Sequence, residues 1–346
     1  MPSGVGVIGA GPGASALHLA TLARLSDRFT VVHVADAGGG RAAQLAERVG
    51  ASSSTGTGAL LADPRVEVVA ICSPPAAHAS QILAAVAAGK RAILCEKPIA
   101  VSHDEAARVM GACRDADVAL VVGTNHLFDP AWGRVQHQIA AGGAPVRTIS
   151  ITVALPPNGR YHDAVTESLP APSATRGAPD WSAPAVAAAV LRQLVLGLAV
   201  HDLPLVRDLA QRFDRVVFAR PVPPIGYIVG FIAGDIVVRL AAVMTSGGAD
   251  ALWRIGIATD RDLVDIEFPP AFVHDGSAAV HVRTPDGRRT SYPVSTEDGY
   301  LAEWRALASI LDRHEAVEYD EILADAEFAI DLADAVEAAV LAEAAA

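Results

Sequence analysis

The sequence predicts an α/β chain: a doubly wound parallel sheet first, then a second part rich in antiparallel strands. Three observations predict it. Short apolar runs alternate with helical patterns through the first third of the chain. A glycine-rich turn joins the first run to the first helix. Polar or turn residues recur at the C-terminal end of these runs, the edge where open parallel sheets bind ligands.

The bulk numbers agree with that class. A chain of 346 residues has material for about two domains. With 39 acidic residues against 27 Lys plus Arg, the net charge of −12 argues against general nucleic-acid or anionic-membrane binding. The three cysteines, Cys72, Cys95 and Cys113, show no Cys-x-x-Cys spacing. Free thiols in a reducing cytoplasm fit them better than a disulfide framework. The run Val5–Ile8 lacks the length and basic leader of a signal peptide. The apolar stretch 185–200 is interrupted by Arg192 and Gln193, which makes it a poor membrane span.

Taken in order, Val5–Ile8 is a strand that runs into Gly9-Ala10-Gly11-Pro12-Gly13-Ala14, and leucines at helical spacing follow. Gly9 suits the tight turn, Gly11 lets backbone approach a pyrophosphate, and Ala14 fills the third small position, where helix packs on strand. The helix N-terminus adds amides and partial positive charge for phosphates. Phe29–Val34 is a second strand, and Asp36 beyond it can accept hydrogen bonds from a ribose diol while repelling a 2′-phosphate. NAD is therefore expected. Arg41 keeps NADP open, because it can hold that phosphate. Val66–Cys72 is a third strand, followed by Ser73-Pro74-Pro75, His78 and an alanine-rich helix. The strand around Ile93 leads to Cys95-Glu96-Lys97-Pro98, and a helix and a fifth strand, Val118–Val122, bring the chain to Asn125 and His126.

Lys97 stands out chemically. The chain holds 25 arginines and two lysines, Lys90 and Lys97. Arginine stays charged at any working pH, whereas burial and neighbours can tune a lysine amine to give and take protons. A solvated Glu-Lys loop pair is the plain alternative for Glu96 and Lys97.

These residues, with Leu60-Leu61-Ala62-Asp63-Pro64, Gly89-Lys90, Gly123-Thr124-Asn125-His126 and Phe128-Asp129-Pro130, come in an order and spacing that resembles the glucose–fructose oxidoreductase / inositol dehydrogenase (Gfo/Idh/MocA) family. The resemblance covers roughly residues 4–135. It implies a Rossmann domain over 1–126 and an α+β domain over 127–346, built on a large open mixed or antiparallel sheet, with the last helices able to pack back on the first domain. It also implies a homodimer or homotetramer formed by packing those sheets. Lys97 would lie near the nicotinamide and the substrate hydroxyl. For Glu96 two orientations are open: holding Lys97 in place, or pointing its side chain into the fold. Gly9, Gly11, Pro12, Gly13, Ala14, Asp36, Arg41, Ser73, Pro74, His78, Glu96, Lys97 and Asn125 form the cofactor set.

The second half matches more loosely. Val146–Leu155 reads as a strand. The proline-rich segment 156–184 reads as a substrate-covering loop with Arg160, Tyr161 and Trp181 as contacts. One helix is expected from Ala185 to Arg212. It carries Gln193, Gly197 and His201, and Pro204 should kink it near His201. The resemblance makes His201 the second catalytic residue beside Lys97. His126, Tyr161, Trp181, Gln193, Gly197 and His201 are the candidate substrate-side residues, with surface or dimer-interface packing the plain alternative for Arg160, Tyr161 and Trp181. The family's usual Asp four residues before the His is Gly197 here, so His201 lacks the carboxylate that would orient it. On a continuous helix Asp202 lies about 100° away from His201 and does not replace that acid. Seven strands follow between Val216 and Val294, with Pro285-Asp286-Gly287-Arg288 as a hairpin turn. Helices over Tyr300–Arg313 and Glu321–Glu343 close the chain. No metal-ligand cluster appears.

An oxidoreductase acting on a carbonyl, hydroxyl or imine of a sugar-like or secondary-metabolite substrate is the leading expectation. With no acid at position 197, reduction with Lys97 as proton donor is favoured over sugar oxidation. A redox-neutral enzyme with tightly held NAD and a cofactor-binding sensor without turnover are the alternatives.

Overall fold

The computed structural model describes residues 1–156, 179–245 and 251–345. The chain divides into two units, Met1–Asn125 with Tyr300–Glu327, and His126–Gly299 with Phe328–Ala346.

The first unit is built on six parallel strands: β1 (Ser3–Ile8), β2 (Phe29–Asp36), β3 (Ser52–Thr55), β4 (Val68–Ile71), β5 (Ala92–Glu96) and β6 (Ala119–Gly123). Their order is β3-β2-β1-β4-β5-β6. Every residue from Val68 to Ile71 and from Ala92 to Cys95 is fully buried. That is the signature of parallel strands covered on both faces, each large apolar side chain contributing about 1.5–3 kcal/mol.

The helices between them are α1 (Leu19–Arg24), α2 (Arg41–Val49), the short α3 (Gly58–Ala62), α4 (His78–Ala87) and α5 (His103–Asp115). A π-turn over Ala14–His18 leads into α1. Ser102 caps α5 by accepting from the Glu105 amide, while the Glu105 carboxylate accepts from the Val101 amide.

Five strands were expected and six are present. The addition is β3, whose sequence Ser-Ser-Ser-Thr carries no apolar signal because it is a mostly exposed edge strand. His33 ties it down, with Nε2 on Ser54 Oγ at 3.0 Å and Nδ1 on Asp63 Oδ2 at 3.1 Å.

The second unit opens with α6 (Asn125–Phe128), whose first residue is the last of unit 1, and with α7 (Pro130–Gly142). Sequence reading missed α7, although its ends are marked. Asp129 accepts from the Ala131 amide, Pro130 opens the helix, and left-handed Gly143 closes it. Next come β7 (Val146–Leu155), α8 (Pro184–Gly197), a 3₁₀ turn (Ala199–His201) and α9 (Leu203–Ala210).

The expected single helix is therefore broken rather than kinked. Pro204 has no amide to offer the Val200 carbonyl, and it sits in the first turn of a new helix instead. The stretch 184–201 is long and apolar enough to pass for a membrane span by composition. Its α-helix ends at Gly197, and Arg192 pairs with Asp334 and Glu337.

Strands β8 (Phe213–Pro221), β9 (Ile225–Ala233), β10 (Ile236–Met244), β11 (Leu252–Thr259), β12 (Leu263–Phe268), β13 (Ala279–Arg283) and β14 (Arg289–Tyr292) complete an eight-stranded mixed sheet. Its order is β14-β13-β12-β11-β7-β10-β9-β8, with β7 and β10 parallel and the other pairs antiparallel. Alternate residues are buried: Ile149, Ile151, Val153 and Leu155 on β7, Val238, Leu240 and Ala242 on β10. Helices α10 (Gly299–Leu311) and α11 (Tyr319–Ala344) close the chain.

Candidate active site

The ligand edge of the first sheet begins at Gly9. Its φ is +99°, and an added Cβ would lie 2.6 Å from the Cys72 carbonyl oxygen, so only glycine fits. Gly11 and Gly13 face open space in which a Cβ would meet nothing within 4 Å. No side chain caps the helix that Pro12, Gly13 and Ala14 open. Open backbone at an uncapped helix start is the cradle a pyrophosphate needs, so these residues fit a dinucleotide.

Asp36 ends β2. It accepts from the Gly38 amide at 2.7 Å and the Ala42 amide at 3.0 Å, which fixes the carboxylate at the start of α2, beside half-buried Arg41.

The loops after β4 and β5 are tied together by His78. Its Nδ1 lies 2.7 Å from the Pro98 carbonyl and its Nε2 2.7 Å from the Ser73 carbonyl. The ring is fully buried with both nitrogens engaged. In this way His78 braces the two loops against each other. Ser73 donates to Gln81 Oε1, and Pro74 is exposed.

Of the two orientations open to Glu96, the structure shows the inward one. Its side chain turns into the fold and does not hold the Lys97 amine. Oε1 meets His18 Nε2 at 2.9 Å, and Oε2 accepts from the Lys97 backbone amide at 3.3 Å. The indole N–H of Trp304, a donor only, points at His18 Nδ1 at 3.1 Å. Burial disfavours a charged His18 ring, whereas Cys72 and Glu96 favour one. The contact decides for the neutral ring, because a hydrogen on Nδ1 would face the indole hydrogen. His18 therefore donates from Nε2. Burial alone would push the Glu96 carboxyl up, but this hydrogen bond, with the Lys97 charge, holds it below the usual range.

Of the two lysines, Lys90 is a brace. Its amine donates to the carbonyls of Asp63 and Val66, and burial lowers its pKa against the pull of Asp63. Lys97 is half-buried at the end of β5, before a cis peptide bond to Pro98. Asn125 is buried two residues past β6.

In the second unit the structure brings together residues that the sequence kept apart. Trp253 on β11 pairs directly with Phe268 on β12, both on the buried face. Phe268 stacks on the His126 ring at 3.7 Å between centroids, and Trp253 meets it edge-on at 4.8 Å. His126 Nδ1 lies 2.8 Å from Asp202 Oδ1, and the Trp253 N–H reaches both Asp202 oxygens at 3.0 Å. The His201 ring is 5.5 Å from His126 and 5.2 Å from Trp253, edge-on to the latter.

The break after Gly197 cancels the i, i+4 relation between Gly197 and His201. It also turns Asp202 inward, so the site does hold a carboxylate, bonded to His126. Tyr227 lies on the same buried row of the sheet, through the pairings Trp253–Val153, Val153–Ala242 and Ala242–Tyr227. Burial, and then the Asp202 charge, push its phenol far above the usual range.

Trp181 commits its N–H to the Pro224 carbonyl at 3.1 Å, and Gln193 is exposed. Arg160 and Tyr161 lie outside the described residues. Sequence reading passed over Trp253, Phe268 and Tyr227. Their one signal was the inward position of each in an alternating strand.

A parallel sheet in this strand order, with a glycine cradle at the ligand edge of its central strand, defines a dinucleotide-binding Rossmann domain. Residues 3–124 match the GFO_IDH_MocA family model, the oxidoreductase family with an NAD-binding Rossmann fold. An inositol 2-dehydrogenase from Rubrobacter xylanophilus is 37% identical over 145 residues, 41% of each chain. An uncharacterized oxidoreductase from Bacillus subtilis is 40% identical over 83 residues, 24% of each chain. The chain thus matches less than half the length of these relatives.

The fold likeness runs further. A 3-ketoreductase from Actinomadura kijaniata, solved with NADP, superposes with a TM-score of 0.74 at 21% identity over 98% of both chains. A UDP-N-acetylglucosamine 3-dehydrogenase from Acidithiobacillus ferrooxidans gives 0.73 at 20% identity over 98% of this chain and 99% of its own. At these identities the likeness speaks for the fold.

Proposed function

We propose that the protein is an NAD(P)-dependent oxidoreductase acting on a sugar-like or secondary-metabolite substrate at a carbonyl, hydroxyl or imine carbon. The observation that carries this reading is Lys97 at the C-terminal end of β5, on the same sheet edge as the Gly9–Ala14 cradle. The nicotinamide ring, when bound, supplies or accepts the hydride at C4. Gly11, Gly13 and the first turn after them hold the phosphates, and Asp36 faces the ribose. Lys97 gives a proton to the substrate oxygen in reduction and takes it back in oxidation. Its backbone is fixed from below, because the Glu96 carboxylate clamps the Lys97 amide and is itself held by His18. His201 is the second candidate for orienting the substrate or assisting the proton transfer.

Family relatives carry names such as inositol 2-dehydrogenase, 1,5-anhydro-D-fructose reductase and levoglucosan dehydrogenase, which supports a polyol or sugar as the substrate class. The free cysteines fit a cytoplasmic protein. We further propose a homo-oligomer. On the outer face of the large sheet Phe218 covers Gly230, and Val237 is 51% exposed.

The test is an absorbance assay of nicotinamide oxidation and reduction. Its substrates are myo-inositol, D-xylose, levoglucosan and 1,5-anhydro-D-fructose, each with NAD and NADP. Turnover on this panel that disappears in Lys97→Met supports the reading. Binding of NADH with no turnover of any substrate argues for a sensor. Product formed without net change in nicotinamide argues for a redox-neutral enzyme.

A further inference from the structure

We propose that His18 is a positioning residue for Lys97, drawing the Glu96 carboxylate into the fold and so keeping it off the Lys97 amine. The proposal rests on the oxidoreductase reading above, which gives Lys97 its proton-transfer role.

The chain places a carboxylate and an ammonium side by side at the sheet edge. Paired with each other, they would hold the Lys97 amine as a cation and away from a substrate oxygen. One buried ring prevents that pairing. His18 is 1% exposed, and Trp304 on α10 is fully buried. The Trp304 N–H on Nδ1, at 3.1 Å, leaves the ring hydrogen on Nε2, which donates to Glu96 Oε1 at 2.9 Å. Phe29 holds the indole edge-on, with 5.1 Å between ring centroids. Glu96 Oε2 accepts from the Lys97 backbone amide at 3.3 Å. Among the described residues these are the two hydrogen-bond partners of the carboxylate, and the Lys97 amine is not one of them. All of these residues belong to the first unit.

Space and charge both bear on the inward turn. Glu96 pairs with Gly123 on β6, where an added Cβ would lie 3.5 Å from Oε2, so the carboxylate lies across a residue with no side chain. A carboxylate turned into the fold needs donors, and without His18 it would keep only the Lys97 amide. The ammonium charge that already acts on it is that of Lys97. Loss of the His18 donor should therefore swing the carboxylate to the amine. That raises the pH at which Lys97 gives up its proton and takes the amine from the substrate. The other titratable groups around the contact are Cys72 beside His18, and Cys95 and His78 beside Glu96. In this scheme His18 acts through Glu96, and Trp304 fixes its tautomer.

Two measurements on the full chain test the proposal. The first is a pH titration of lysine labelled with carbon-13 at Cε, on cofactor-free protein. The two lysines give two signals, and Lys97 is assigned by its loss in Lys97→Met. In His18→Asn the amide oxygen can still accept from Trp304, but no donor reaches Glu96. There the Lys97 midpoint should rise by about 0.5 pH unit or more, while that of Lys90 stays in place. His18→Gln, whose amide can donate to Glu96, should keep the wild-type midpoint. Adding Glu96→Gln to His18→Asn should abolish the rise. The second measurement uses the panel substrate that the wild type turns over fastest. In His18→Asn, kcat should fall by about tenfold or more with the cofactor KM within about threefold, and His18→Gln should recover most of it.

A Lys97 midpoint in His18→Asn within about 0.2 pH unit of wild type overturns the proposal, as does a rise that persists in the double variant. In the wild type itself, a proton–nitrogen spectrum should show the His18 hydrogen on Nε2 and a bare Nδ1, assigned by its loss in His18→Gln. The opposite tautomer overturns the proposal whether or not His18→Asn folds. If the titrations come out as expected and no panel substrate turns over, the His18 contact stands and the oxidoreductase reading falls. If the panel is turned over and Lys97→Met abolishes it, while His18→Asn changes neither midpoint nor kcat, the reading stands and the proposal falls.

Discussion

Gly9 and Gly11 occupy one loop for opposite reasons, and their substitutions should separate. At Gly9 a Cβ would collide with the Cys72 backbone at positive φ. Gly9→Ala should therefore destabilise the first unit by several kcal/mol, read as a lower melting temperature. Gly11→Val has room, so the fold should survive with an unchanged melting temperature while NADH affinity falls at least tenfold by fluorescence titration. Asp36→Ser removes the carboxylate that repels a 2′-phosphate, and the NADP-to-NAD ratio of kcat/KM should rise about tenfold or more. Glu96 makes a prediction in pH. Its carboxyl is held below the ordinary glutamate range, so its contribution is present above that range and lost as pH falls through the folded value. Between about pH 5 and 3 the wild-type melting temperature should fall more steeply than that of Glu96→Gln.

At the scale of elements, the strands with apolar runs and the Rossmann turns were legible because buried parallel strands and glycine turns leave local marks. The edge strand β3 was not, since an exposed strand needs no apolar residues. Helix α7 had readable ends at Asp129-Pro130 and Gly143, and only its mixed face hid it. The break at Leu198–Asp202 was half legible. Pro204 forecast a disturbance near His201, but a kink and a break place Asp202 differently, and the partners that decide are Trp253 and His126, 51 and 76 residues away in sequence. The same distance problem hid the Glu96–His18–Trp304 chain, which spans the first unit from end to end of its sequence. Local signals find the edge of a site; long-range pairing decides which side chains face into it.

At the scale of the whole molecule, the open face of the eight-stranded sheet leads to one prediction. If the eight-stranded sheet pairs with that of a second copy, as proposed, Val237→Arg should shift the protein toward monomer in sedimentation and leave the melting temperature of dilute samples within a few degrees, because that side chain faces outward. The proposed proton transfer depends on Lys97, the half-buried residue at the sheet edge. The most direct test is a crystal structure with NADH and a panel substrate or product bound. Lys97 Nζ is expected within hydrogen-bond reach, about 3 Å, of a substrate oxygen on the carbon facing nicotinamide C4. An amine directed away from C4, with another side chain at that oxygen, would contradict it.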